Sequence, residues 1–426
     1  MGNANRLKIA NGVNLTYIND CKFKTTRISL IMFAPLNSNT VSQNAILPHL
    51  LTHSCNKIPT LQKISEKLEE LYGASITSEV QKIGDNQALC VSAQNINNEF
   101  VPSGTDNTMD VIDLMCEMIF NPLTDAEGFK KENIAQEKRE LIEEIQSEFN
   151  DKKTYALKKC IETMCKNEPF GINTVGNIEN AKKINSQNTF EAWQNLLQKS
   201  HIEIIVIGSA ACTSIENKFK KYFSNINRKN IFSYESSIIG KHPKITEISE
   251  KMDITQCKLV MGLRLKNAKE SVNIQAMKVM NALLGGCAES KLFKNIREKQ
   301  SLCYYCSSSY TKHKQIVLIE SGIEKENIEK AKKGILEQLE DIKLGNFTDT
   351  ELNEIKMFIT QTLQKINDSQ SSQTSWYAFQ TFESDIKSPE DEIEKIAKIT
   401  REDVIKAANG IDVDTIYVLC GKEGQK

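Results

Sequence analysis

The first half of the chain carries apolar positions in two periods, one of two residues and one of about 3.6 residues. A period of two predicts strands whose side chains alternate between two faces, and the longer period predicts helices with one apolar face. In chain order, the pattern predicts a strand at 26–33, helices at 43–55 and 61–72, and strands at 74–80 and 88–93.

The same order of elements returns in the second half of the chain. A strand predicted at 257–265 is followed by helical stretches at 272–284 and 292–299, and then by alternating stretches at 302–310 and 316–321. A recurring order of elements is the mark of an internal repeat. We therefore predict that the chain consists of two homologous domains.

Each half continues into two long amphipathic helices and closes on a strand. The helices are predicted at 109–119, 132–149, 328–344 and 349–366, and the closing strands at 201–208 and 415–421. Between the halves, 224–250 mixes Asn, Ser, Lys, Gly and Pro, which predicts a linker. The predicted fold class is α+β, with homologous domains at 1–223 and 251–426, each a mostly antiparallel sheet with helices packed on one face.

Charge and hydropathy exclude several kinds of partner. The formal net charge over 426 residues is -1, so no global field would draw the protein onto nucleic acid or an anionic membrane, and we expect neither as a partner. No apolar stretch in the sequence reaches the roughly 18 residues of a membrane-spanning helix. We therefore expect a cytosolic protein.

Twelve cysteines are scattered along the chain. In a cytosolic protein most of them are expected to be buried thiols. Cys303-x-x-Cys306 is the one C-x-x-C sequence. It has no second C-x-x-C with which to complete a zinc site, and it lies in a predicted strand, so we interpret both cysteines as packing residues.

Two histidines, His49 and His53, lie four residues apart in a predicted helix. This spacing stacks both imidazoles on one helix face, where they can reach one zinc ion together with a third ligand. The predicted helix at 132–149 offers several glutamates as that ligand. Alternatively, the histidines are solvated or packed, and the glutamates face water.

The sequence His49-Leu-Leu-Thr-His53 resembles the H-x-x-E-H of the inverzincins, the pitrilysin/insulinase-type metallopeptidases. Their motif is followed by a helix with two glutamates seven residues apart, and Glu137 and Glu144 match this pair. The resemblance implies that His49, His53 and Glu144 hold zinc and that Glu137 supports the site.

A second match lies at 281–304, which is similar to the signature of the second domain of the family: a Gly-rich turn, Ser-x-Leu-Phe, and Arg-Glu-Lys-x-Gly-Leu-x-Tyr. The resemblance implies that Arg297 and Tyr304 reach the zinc site and bind the peptide backbone and its developing oxyanion. Ser301 departs from the pattern, since glycine is usual there. The alternative is an arginine in a surface ion pair and a tyrosine in a strand.

Position 52 decides the expected activity. In H-x-x-E-H the glutamate is the general base that takes a proton from the zinc-bound water, and this chain has Thr52 in its place. A hydroxyl is not basic near neutral pH. The resemblance is to the bacterial processing-peptidase-like branch, in which two half-size subunits pair.

We therefore predict a degenerate, non-catalytic member that binds peptide and supports an active partner with an intact motif, as a heterodimer, or that pairs with itself. The alternatives are an active zinc metalloendopeptidase that uses Arg297 and Tyr304, and a peptide-binding or scaffolding role unrelated to proteolysis. Zinc is a possible cofactor, because His49, His53 and Glu144 are all retained. If the rest of the site is preorganised, Thr52→Glu should restore some cleavage.

Overall fold

The structure is a computed structural model that describes residues 4–269 and 272–421. The chain forms two compact units. Unit 1 comprises Met1–Gln146, Ile172–Glu235 and Ile366–Ser388, and unit 2 comprises Ser147–Gly171, Ser236–Lys365 and Pro389–Lys426. The predicted boundaries at 1–223 and 251–426 follow the repeat along the chain, whereas in space each unit also contains a segment from the opposite half of the sequence.

Residues up to 224 contain eight strands and nine α-helices among the described residues. The strands are β1 (Asn5–Ala10), β2 (Val13–Asn19), β3 (Thr25–Pro35), β4 (Ser75–Ile83), β5 (Asn86–Ile96), β6 (Thr124–Asp125), β7 (Gly128–Phe129) and β8 (His201–Gly208). The helices are α1 (Val41–Ala45), α2 (Leu47–His53), α3 (Leu61–Glu70), α4 (Asn107–Phe120), α5 (Lys131–Ser147), α6 (Lys152–Met164), α7 (Ile178–Lys182), α8 (Ser186–Lys199) and α9 (Cys212–Ser224).

The rest of the described chain contains five strands and six α-helices. The strands are β9 (Thr246–Met252), β10 (Cys257–Leu265), β11 (Cys303–Thr311), β12 (Ile316–Ile323) and β13 (Ile411–Gly421). The helices are α10 (Ile274–Asn281), α11 (Ile328–Lys343), α12 (Asp349–Ile366), α13 (Gln370–Ala378), α14 (Pro389–Ala397) and α15 (Arg401–Asn409). Wide π-helical turns follow α10 at Ala282–Gly286 and Leu292–Lys299.

Unit 1 is built on a six-stranded sheet in the order β1-β2-β8-β3-β5-β4. All neighbours are antiparallel except β2 and β8. One face packs against the helices of the first half through Leu30, Met32 and Val206. The other face is covered by α13, whose Tyr377 joins a second apolar cluster. The continuous apolar run of β8 is typical of a strand that is buried on both faces.

Unit 2 has a five-stranded sheet in the order β11-β12-β10-β13-β9. Strand β9 pairs parallel to β13 and begins within the predicted linker at 224–250, so the end of that linker is a strand. Helix α6 begins where Asp151 accepts hydrogen bonds from the backbone N–H groups of Lys153 and Thr154. Its Ala156 and Cys160 pack on one face of the sheet, as α13 does in unit 1.

The structure confirms the predicted α+β class, with mostly antiparallel sheets. It also shows that a helix covers the second face of each sheet, α13 in unit 1 and α6 in unit 2. The predicted helix at 43–55 is divided at Ile46 into α1 and α2. Strands β1 and β2 were not predicted from the sequence. Among the described helices, none is both long and apolar enough to cross a bilayer.

The cysteines differ in one respect from the expectation of buried thiols. Cys257 and Cys420 face each other across β10 and β13 and form a disulfide, with their Cα atoms 4.4 Å apart. The other ten are free thiols. Six of these are buried, namely Cys55, Cys116, Cys160, Cys165, Cys303 and Cys306.

Ser301, which stands where the family has glycine, has a left-handed backbone with φ of 51°. A side chain at such a φ strains the backbone by about 1 kcal/mol, which glycine avoids. We expect Ser301→Gly to raise the free energy of unfolding by about 1 kcal/mol in urea denaturation. The matched control is Ser301→Ala, which keeps a Cβ and should bring no gain. Equal stability of the two variants would contradict this account.

Candidate functional site

The two histidines of the motif lie on the short helix α2. Pro48 occupies its first turn, where a missing backbone N–H costs nothing. Leu47, Leu50 and Leu51 are buried in the core of unit 1. Because these leucines face inward together with Pro48, the other side of the helix turns outward, and it carries His49, Thr52 and His53.

His53 is held by a carboxylate from α5. Its Nδ1 lies 2.9 Å from Oε1 of Glu137, which is only 4% exposed. This hydrogen bond raises the pKa of His53 above its ordinary value; burial opposes the shift, and the charges of Glu137 and Glu140 add to it. Histidines that bind a metal through one ring nitrogen commonly donate the N–H of the other ring nitrogen to a carboxylate, which orients the imidazole.

His49 and Thr52 have different partners. Nδ1 of His49 lies 2.9 Å from the hydroxyl of Ser78 on β4. The hydroxyl of Thr52 donates to the backbone carbonyl of His49 at 2.8 Å, within the same helix. Thr52 therefore provides neither a basic oxygen nor a carboxylate in the position of the general base.

A pocket of about 330 Å³ lies between α2, β4 and α5. Glu137, Glu140 and Glu144 line it, since positions three and four residues apart share one helix face. His49 and Glu79 contribute from the other walls. The structure thus brings His49, Glu137 and Glu144 to one pocket, while His53 adjoins it through its hydrogen bond to Glu137.

The donor types around this pocket suit zinc, which prefers imidazole nitrogens and carboxylate oxygens. Their arrangement fits less well. Within residues 4–269 and 272–421, no three His, Cys, Asp or Glu side chains converge closely enough to hold a metal ion. The three ligands that the family resemblance implies, His49, His53 and Glu144, therefore do not form a preformed metal centre in this structure.

Arg297 and Tyr304 both lie on the surface of unit 2. The guanidinium of Arg297, in the turn at Leu292–Lys299, stacks 4.5 Å from the centre of the Phe293 ring. Tyr304 is 59% exposed and donates its hydroxyl to Glu324 at 2.6 Å. This hydrogen bond raises the pKa of Tyr304. Both side chains are exposed, and the one O–H donor of Tyr304 is engaged with Glu324.

Unit 2 contains a buried cluster of charged side chains that was not predicted from the sequence. Arg264 and Lys314 are fully buried and share the carboxylate of Glu168, which lies 3.0 Å from Nζ of Lys314 and is hydrogen-bonded to Arg264. Asp414, also fully buried, lies 3.8 Å from Nε of Arg264 and accepts from Nδ1 of His242 at 2.8 Å. The residues come from four distant parts of the sequence.

Two pocket residues were also missed by the sequence analysis. Glu140 had a signal, since it lies three residues after Glu137 on the same helix. Ser78 had none: it reaches His49 only because β4 runs beside α2. The sequence around a polar residue in an alternating strand does not indicate which helix that residue will face.

Fold and site together define a class of protein: a metallopeptidase-like chain of two repeated α+β units in which the general base is absent. A family model described as "Peptidase M16 inactive domain" matches residues 183–359. The "Probable inactive metalloprotease YmfF" of Bacillus subtilis (strain 168) is 31% identical over 427 residues, covering 100% of both chains.

Two further proteins are similar to this chain. The "Uncharacterized zinc protease YmxG" of the same organism is 23% identical over 80% of this chain and 83% of its own. The crystal structure of a conserved protein from Enterococcus faecalis V583 matches 100% of both chains with a TM-score of 0.90 and 25% identity. The chain belongs to the M16 peptidase family, as a degenerate, non-catalytic member.

Proposed function

We propose that this protein is the non-catalytic subunit of a peptidase pair, which binds peptide and supports a partner with an intact H-x-x-E-H motif. The observation that carries the proposal is Thr52, whose hydroxyl is engaged with the His49 carbonyl where the family has its general base. The pocket between α2, β4 and α5 keeps His49 from α2 and three glutamates from α5. A chain that retains the pocket without the base is suited to binding rather than cleavage.

Arg297 and Tyr304 are the proposed peptide contacts. A guanidinium and a phenol are strong donors to a peptide carbonyl, and both side chains are exposed in unit 2. Loss of a charge-assisted hydrogen bond costs about 1.5–3 kcal/mol, roughly tenfold or more in affinity. Arg297→Ala is therefore expected to weaken binding of a fluorescein-labelled unstructured peptide about tenfold in fluorescence anisotropy.

Lys299→Ala is the matched control, since Lys299 is an exposed cation in the same turn. It should leave the peptide affinity unchanged. Equal losses in the two variants would indicate a general charge effect and would contradict a specific contact by Arg297.

Purification of the tagged full-length chain from its own cells tests the partnership. The expected result is a co-purifying chain at one-to-one stoichiometry whose sequence contains H-x-x-E-H, together with peptidase activity that the isolated chain lacks. A monomer, or a homodimer without activity, would overturn the role in a pair. We also propose a cytosolic location, which fits the excess of ten free thiols over the one disulfide, Cys257–Cys420; cell fractionation tests it.

We also propose that the chain binds zinc weakly, with His49, His53 and Glu144 as the ligands. Because these donors do not converge in the structure, we expect binding far weaker than at a preformed zinc site. Metal analysis after dialysis against a competing chelator should find zinc lost, and His49→Ala should lower uptake in a zinc titration. One tightly retained zinc per chain would contradict this expectation.

A further inference from the structure

Cys303 and Cys306 occupy one face of strand β11 although they are three positions apart. Positions three apart on a regular strand point to opposite faces. The pairing of β11 with β12 shifts between Cys303 and Tyr305, which leaves Tyr304 as an extra, bulged residue. A bulge of one residue reverses the alternation beyond it, and both cysteines are accordingly buried, at 9% and 4% exposure.

The two cysteines are close enough to be bridged. Cys303 lies opposite Ile323 and Cys306 opposite Ser321, so their partners are two residues apart on β12. Two residues of strand span about 6.6 Å. This separation is within the range of about 4.4–6.8 Å between Cα atoms that disulfides bridge.

The surroundings of the pair distinguish its two thiols. A hydrogen bond from the Cys306 thiol lowers the pKa of Cys303 to about 7; burial opposes the shift, and Ser321 and the positive charge of Arg297 add to it. The same hydrogen bond, with burial, raises the pKa of Cys306 well above its ordinary value. Near neutral pH Cys303 is thus partly thiolate, the nucleophilic form of the side chain, and Cys306 is a thiol beside it.

We propose that Cys303 and Cys306 form a redox-active dithiol that a small-molecule disulfide, such as oxidised glutathione, converts reversibly into an intrachain disulfide. The Cys303 thiolate attacks one sulfur of the small disulfide, the sulfur–sulfur bond breaks, and a thiolate leaves that takes up a proton. Cys306 then loses its proton and attacks Cys303, which expels the second small thiolate. Two protein thiols are oxidised, and one small disulfide is reduced to two thiols.

Two other free thiols of unit 2, Cys160 and Cys287, differ from Cys303. Burial raises the pKa of Cys160, and Cys287 has a raised pKa for the same reason. Cys257 and Cys420 are already joined to each other. A nucleophilic thiol with a second thiol beside it is an arrangement found in redox-responsive sites, and the pKa of Cys303 is lowered whereas those of Cys160 and Cys287 are raised.

Trypsin provides a direct test with the full-length protein. Cleavage after Lys299 and Lys312 releases 300–312, which contains both cysteines and no other. The folded protein is incubated with oxidised glutathione at pH 7, quenched in acid, alkylated and digested. We expect 300–312 to be two hydrogen masses lighter and to have lost both alkyl groups, and dithiothreitol before alkylation should restore them.

Single substitutions test the order of attack. Cys306→Ser should stop at a glutathione adduct on Cys303, whereas Cys303→Ser should leave Cys306 free for alkylation. The exposed Cys21, on the separate peptide 9–22, shows that the reagent has reacted. A doubly alkylated 300–312 beside a modified Cys21 would overturn the proposal, and the wild-type result decides it even where a variant fails to fold.

Discussion

The isolated chain, supplied with zinc at neutral pH, is expected to cleave a quenched fluorescent peptide at least about 10²- to 10⁴-fold more slowly than a relative with an intact motif. This range is the usual contribution of a general base. The reason lies at Thr52: its hydroxyl is not basic, and it donates to the His49 carbonyl. Release of fluorescence with time, with and without a chelator, measures the difference.

Thr52→Glu is the informative control for this prediction. If the base were the only missing part, the variant would regain about 10²-fold or more in chelator-sensitive rate. Because the zinc donors do not converge in the structure, we expect a gain of less than about tenfold, since an unbound metal cannot supply the reactive water. Recovery by two orders of magnitude would show that the site is otherwise preorganised.

Glu168→Ala is expected to destabilise unit 2 by about 3–5 kcal/mol, because it removes the carboxylate shared by two buried cations. Arg264 and Lys314 are fully buried, and Glu168 contacts both. Without it, their charges face a low-dielectric interior with less compensation. Urea denaturation followed by circular dichroism measures the loss, as a lower transition midpoint.

The matched control is Glu127→Ala, which breaks the ion pair with Lys131 on the surface of unit 1, where both side chains are mostly exposed. Pairs of this kind contribute little, because water screens them. The control should unfold at the wild-type urea concentration. A Glu168→Ala protein that did the same would show that the buried cluster is not needed for stability.

Local features of the fold were predictable from the sequence. The alternating and helical periods identified β3, β5, β8, β10 and β12 and the long helices α4, α5, α11 and α12, because each period reflects burial of one face of one element. The spacing of His49, His53, Glu137 and Glu144 likewise indicated which side chains share a helix face. The edge strand β1 and its neighbour β2 were missed, and their mixed burial gives a weaker alternation.

Contacts between distant segments were not predictable from one sequence. Ser78 meets His49, and Glu168 meets Arg264, only through the packing of separate elements. The bulge at Tyr304 places Cys303 and Cys306 on one buried face of β11, since strand pairing with β12 sets the face of each side chain.

The sequence by itself determined the repeated order of elements, the α+β class and the absence of the general base, because periodicity, spacing and residue identity are local properties. The tertiary structure decided which segments each unit contains, which side chains enclose the pocket and that, among the described residues, His49, His53 and Glu144 do not converge on one point. These features depend on backbone positions that many long-range contacts set together, and no single stretch of sequence records them.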